Sequence, residues 1–144
     1  MYEVITGQLW IGHAIVASDI RRLLNLGVAA LIDLAIEELP PPLTRELIYL
    51  RIPLTDGSGN SPEQLSLAIE TCAQLIQRRI PSLIFCGAGM SRSPAIAAAA
   101  WSLVGRRPAD EVLQQIIRGQ PHDVSPALWQ DVREATQTMP IPND

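Results

Sequence analysis

The chain contains no lysine. All 11 of its basic residues are arginine, and the formal net charge of its 144 residues is -4. Any anion site must therefore be built from guanidinium forks and backbone N–H groups. The negative balance argues against nucleic acid as a partner. Cysteine is scarce: Cys72 and Cys86 make no disulfide framework, which fits a reducing compartment and sets cytoplasmic localisation as the expectation. The longest apolar runs are of the length of "AIAAAAW", far short of a membrane span. No N-terminal stretch joins basic residues, an apolar core and a small-residue cleavage site, so neither a signal peptide nor a membrane partner is expected. The two histidines, His13 and His122, lie far apart with no ligand set beside them, so no metal site and no cofactor are expected.

What is present reads as one domain over residues 1–144, with 47% hydrophobic and 18% charged residues, typical of a globular protein with a buried core. Strand and helix signals alternate. "GQLWIGH" (7–13), "VAALIDLAI" (28–36), "LIYLRIPL" (47–54) and "SLIFC" (82–86) read as strands, the second being near-continuously apolar, as in a strand covered on both faces. "ASDIRRLLNLG" (17–27) reads as a helix stopped by Gly27. A further helix starts after Ser61, with Pro62 in its first turn and Gln64 completing a capping box. Residues 93–105, 108–119 and 125–137 supply three more. "EELPPPLTRE" (37–46) and "TDGSGN" (55–60) read as loops. The expected fold is α/β, with a mostly parallel central sheet flanked by helices on both faces. Ligands of such folds bind beyond the carboxyl ends of the strands.

Cys86 stands at such an end, in "IFCGAGMSRSP" (84–94). Gly87 and Gly89 permit the left-handed angles that turn successive N–H groups toward an anion. The loop enters a helix N-terminus, whose partial positive charge favours an anion and a cysteine thiolate. Arg92 adds a two-oxygen fork. Gly87, Ala88, Gly89, Met90, Ser91 and Arg92 are thus a candidate phosphate cradle, with Cys86 as nucleophile and Ser93 placed to hydrogen-bond its sulfur. The plainer reading is that Cys86 is an inert small hydrophobe at the end of a strand.

Cys86 to Ser93 matches the Cys-x5-Arg-Ser/Thr signature, and the chain resembles the dual-specificity branch of the cysteine-based protein tyrosine phosphatases. "GQLWIG", "IPLTD" and "VSPALWQ" have counterparts there in the same order. The resemblance implies a compact phosphatase domain. It also implies two-step phosphomonoester hydrolysis through a phosphocysteine, without a metal, on a phosphorylated protein or peptide. It makes Asp56, in the loop before the long helix, the general acid and base, with Asp33 as alternative. A plainer reading of Asp56 is a turn aspartate bonding its own backbone. The family usually has histidine where this chain has Phe85. In an extended strand Phe85 must face away from Cys86, into packing.

Cys72 shares a helical stripe with Leu65 and Ile69 and reads as core, with a redox bond to Cys86 as the alternative. Trp10, Trp101 and Trp129 read as core anchors. Two other function classes stay open: a phosphate-reading module with weak or no turnover, and a rhodanese-type sulfurtransferase. Phosphoinositide-directed relatives in the family tend to place lysines in this loop, and this chain has none, so the resemblance disfavours inositol phosphates. For a short chain without an obvious insertion it implies a pocket shallow enough for phosphoserine and phosphothreonine as well as phosphotyrosine.

Overall fold

In a computed structural model, which describes residues 1–142, the chain forms a five-stranded sheet of order β1-β2-β5-β3-β4. The strands are β1 (Tyr2–Ile5), β2 (Leu9–His13), β3 (Ala30–Ala35), β4 (Ile48–Leu54) and β5 (Ser82–Cys86). All neighbours pair in parallel except β1 and β2, which are antiparallel. The sheet is therefore mixed and mostly parallel, as the alternation of signals implies. β1 is the one strand the sequence pattern does not announce. It is a four-residue edge strand with no fully buried position, held by pairing to β2 rather than by a pattern of its own.

Successive residues of β5 divide between two cores, because side chains alternate across a strand. Ile84 and Cys86 join a large cluster with α3 (Pro62–Gln77), α4 (Arg92–Gly105), α5 (Ala109–Ile117) and α6 (Pro126–Gln137). Leu83 and Phe85 join a smaller cluster on the other face, with Trp10, Val16 and Leu23. Phe85 thus points away from Cys86 as expected, and it is 1% exposed. Burying a ring of that size contributes about 2–3 kcal/mol. Cys72 lies in the larger core, fully buried, and burial pushes its thiol up to about 12. Ala95 and Ala97 to Ala100 are all fully buried. Their small side chains let α4 sit between the sheet and its neighbouring helices, so this helix lacks a polar face along most of its length.

The helix expected over 17–27 is the shorter α2 (Ile20–Asn25), and a separate one-turn helix, α1 (Ala14–Ala17), precedes it where no helix was expected. Capping explains the break. His13 Nδ1 accepts from Val16 N–H and Asp19 Oδ1 from Arg22 N–H, each at 3.2 Å, so each short helix has its own start. The Ser61–Gln64 capping box forms as read, with Pro62 in the first turn. Of the three tryptophans only Trp10 is buried. Trp101 and Trp129 pack half-buried against the larger core. Arg107 stacks 5.7 Å from the Trp101 ring, and Trp129 Nε1 donates to Asp110 at 2.8 Å. No helix among the described residues is long and apolar enough to cross a membrane.

Candidate active site

β5 ends at Cys86 and α4 begins at Arg92, so five residues turn the chain from strand to helix. Two of them are glycines for different reasons. Gly89 has φ +74°, and a Cβ there would lie 2.6 Å from the carbonyl oxygen of Gly12 on β2. Gly87 does not take a left-handed angle, contrary to the expectation that both glycines would. It is crowded instead: a Cβ would lie 2.5 Å from Glu37 Oε1, the tip of a side chain that would have to move off. The backbone N–H groups of Ala88 to Arg92 donate to no protein acceptor among the described residues. Ser91, at the start of α4, makes no side-chain cap. Unpaired donors in series, ending at a helix N-terminus, are what an anion cradle needs.

Arg92 is 6% exposed. Its Nη1 donates to Glu37 Oε2 at 2.7 Å and to the Leu54 carbonyl at 3.0 Å. Its Nη2 donates to Glu37 Oε1 at 2.5 Å. Nε is buried and has no partner. A guanidinium carries five N–H groups. Glu37 and the carbonyl take three, from the far end of the fork. The Nε–H and the second Nη2–H remain, side by side along one edge, as a two-oxygen grip. The bond from Arg92 holds the Glu37 carboxyl below the usual carboxylate range, and Glu37 in turn raises the Arg92 guanidinium.

Sequence reasoning missed Glu37. It follows the end of β3, where ligand-facing residues concentrate, but nothing local marks it among the acidic and proline residues of "EELPPP". Arg51 straps its loop: Nη2 donates to the carbonyls of Ala35 and Glu38, at 2.8 and 2.7 Å. Arg51 Nε also lies 3.7 Å from Asp33 Oδ2. Asp33 itself is fully buried, accepting from Tyr49 OH at 2.5 Å and Ala35 N–H at 2.9 Å. Its carboxylate is thus engaged in holding β3 to β4, and it does not line the cavity that Cys86 lines.

Asp56 is brought to the loop. Ser91 Oγ donates to Asp56 Oδ1 at 2.6 Å and accepts from Ser125 N–H at 2.9 Å. Asp123 N–H donates to the Met90 carbonyl at 2.9 Å. A cavity of about 70 Å³ is lined by Asp56, Cys86, Ala88, Met90, Ser91, Arg92 and Asp123. A wider cleft of about 450 Å³, between α3 and the stretch 139–142, holds neither cysteine nor arginine. The smaller cavity is therefore the candidate site. Asp123 is a second acidic residue that sequence reasoning missed. Ser93 is fully buried, and its Oγ makes no hydrogen bond among the described residues, to Cys86 or to any other group. No group of three or more His, Cys, Asp or Glu placed to hold a metal occurs among the described residues.

Solved structures match this fold over nearly its whole length. Human DUSP28 superposes with a TM-score of 0.81 at 19% identity, covering 95% of this chain and 96% of that one. DUSP15 does so at 0.76 and 28% identity, over 96% and 88%. PTPMT1 does so at 0.78 and 19% identity, over 94% and 93%. No curated protein matches the sequence. The family model described as "Polymorphic toxin system, DSP-PTPase phosphatase" matches residues 7–106, more than half of the chain. The chain thus belongs to this family of dual-specificity-type phosphatases.

Proposed function

We propose that the protein hydrolyses phosphomonoesters of proteins through a phosphocysteine on Cys86. The observation that carries this reading is the convergence of Cys86, Arg92 and Asp56 on one cavity, beside backbone N–H groups that have no protein acceptor among the described residues. The Cys86 thiolate attacks phosphorus in line with the departing oxygen. As the P–O bond breaks, the Asp56 carboxyl gives that oxygen its proton. The N–H groups of the cradle and the free edge of Arg92 hold the phosphoryl oxygens throughout. A water then attacks the phosphocysteine, Asp56 takes the water's proton, and the S–P bond breaks to release phosphate and thiolate. Ser93 Oγ, buried without a partner, is available to the departing sulfur.

The cradle Gly87 to Arg92 and the acid-base role of Asp56 use no metal and no cofactor. The narrow cavity supports phosphoserine and phosphothreonine as substrates alongside phosphotyrosine, because no deep wall has to be filled. The family description leads us to read the chain as the phosphatase element of a polymorphic toxin system. Release of phosphate from p-nitrophenyl phosphate tests the reading. Wild type should turn over, and Cys86→Ser should not, while still binding vanadate or phosphate. Binding without turnover in wild type would favour a phosphate-reading module instead.

A further inference from the structure

The charge around the cavity bears on what can approach it. Three carboxylates converge on the loop: Asp56 and Asp123 line the cavity, and Glu37 lies against Gly87. Arg92 is the one cation lining it among the described residues. That arginine is already engaged by Glu37, and its unpartnered Nε is buried rather than exposed at the rim. Arg51, on the neighbouring strand β4, is engaged by the carbonyls of Ala35 and Glu38.

Asp56 is fixed by Ser91 Oγ. Asp123 is different. Its backbone is pinned to Met90 at 2.9 Å, so it moves with the loop. Its carboxylate is exposed and has no hydrogen-bond or ion-pair partner among the described residues. A fixed backbone with a free carboxylate at the mouth of an anion site repels further negative charge and attracts a cation beside the phosphoryl group.

We propose that Asp123 is a specificity residue, selecting phosphorylated protein segments that carry arginine or lysine next to the phosphorylated residue and discriminating against polyanionic substrates. The proposal rests on the phosphatase reading above for its substrate class, and the test separates the two. The phosphoryl group is gripped by the cradle and Arg92, while the flanking guanidinium or ammonium pairs with Asp123. Such a pair is solvent-exposed, so its effect is modest and falls with salt.

The probes are a phosphotyrosine peptide flanked by arginine and its glutamate-flanked counterpart. Wild type at low ionic strength should favour the arginine peptide by about three- to fivefold in kcat/KM. Asp123→Asn should remove most of that preference, and Asp123→Arg should reverse it. The preference should shrink in wild type as salt rises. The same comparison with Cys86→Ser, read as peptide binding, gives an answer even where turnover is slow. Melting curves of both Asp123 variants show whether their loops remain folded. Equal use and equal binding of the two peptides by wild type would overturn the proposal. So would a preference that survives Asp123→Arg, or stronger binding of an inositol polyphosphate than of the arginine peptide. Failure of wild type to hydrolyse p-nitrophenyl phosphate strikes instead at the phosphatase reading, and leaves the peptide-binding comparison to decide on Asp123.

Discussion

The Glu37 carboxylate grips both terminal nitrogens of Arg92, at 2.7 and 2.5 Å, and leaves only the Nε edge of the guanidinium for another anion. This pairing orients a buried cation without neutralising its useful face. Glu37→Gln keeps the shape but removes the negative charge and leaves one oxygen to accept from the guanidinium. We expect kcat/KM on p-nitrophenyl phosphate to fall about tenfold to a hundredfold, since small misplacements of a positioning group carry such costs. The ion pair also has a pH signature. Glu37 is held below its ordinary range, so its stabilisation is present above about pH 4.3 and is lost as pH falls through the depressed range. With Glu37 46% exposed, the stabilisation is at most about 1 kcal/mol. Wild type and Glu37→Gln should differ in melting temperature at neutral pH and converge in acid. Unchanged kinetics in the variant would show that Arg92 needs no partner.

The two glycines of the loop should fail differently. Alanine at Gly87 meets the tip of a flexible carboxylate, Glu37 Oε1. Alanine at Gly89 meets the Gly12 backbone and must also adopt φ +74°. Gly87→Ala should therefore melt near wild type but lose activity, as Glu37 is pushed off Arg92. Gly89→Ala should lose about 1–3 kcal/mol of stability. Equal melting temperatures for the two variants would contradict this division.

Much of this is legible in sequence, and the remainder has physical reasons. The strand ending in Cys86, the capped α3 and the Pro-started α6 each carry local signals that tertiary packing does not override. β1 carries none, because its four residues include no buried position to set a pattern. The break between α1 and α2 is visible only as Asp19, a cap residue that also suits a helix's first turn. That Arg92 lies at this loop is visible in the motif, and that Asp56 comes near it is what the family resemblance implies. Glu37 and Asp123 carry no such sign: each is one of several acidic residues in an irregular segment, and only the fold selects which one reaches the loop.

The two aspartates that the sequence offers for the acid role should separate cleanly. Asp33 is fully buried and accepts two hydrogen bonds, so Asp33→Asn should cost about 1–3 kcal/mol of stability. Asp56→Asn should leave melting nearly unchanged. It should lower turnover strongly for a phosphoserine peptide, whose leaving oxygen needs a proton, and less for p-nitrophenyl phosphate. If Asp33→Asn were the variant with leaving-group-dependent rates, the assignment of Asp56 would be wrong.

The chain has only two tyrosines, so the phenolate absorbance reports on both and on nothing else. Burial, and secondarily the charge of Cys86, pushes Tyr2 up to about 12. Burial and the bond to Asp33 push Tyr49 up to about 12. The folded protein should therefore show little phenolate near pH 10, where the unfolded chain ionises, and a rise near 12. Because the folded values are raised, this contribution to stability is intact below about pH 10 and is lost as pH climbs through about 12. A folded-state midpoint near 10 would contradict it. Substitution then distinguishes the two rings. Tyr2 OH is buried with no partner, so Tyr2→Phe removes an unsatisfied group and should be neutral or stabilising. Tyr49 OH donates to Asp33 at 2.5 Å, so Tyr49→Phe should cost about 1–2 kcal/mol. It should also loosen Asp33 against Arg51, which straps the loop that carries Glu37. Tyr49→Phe should thus lower kcat/KM modestly as well as stability, and Tyr2→Phe should not share that paired loss.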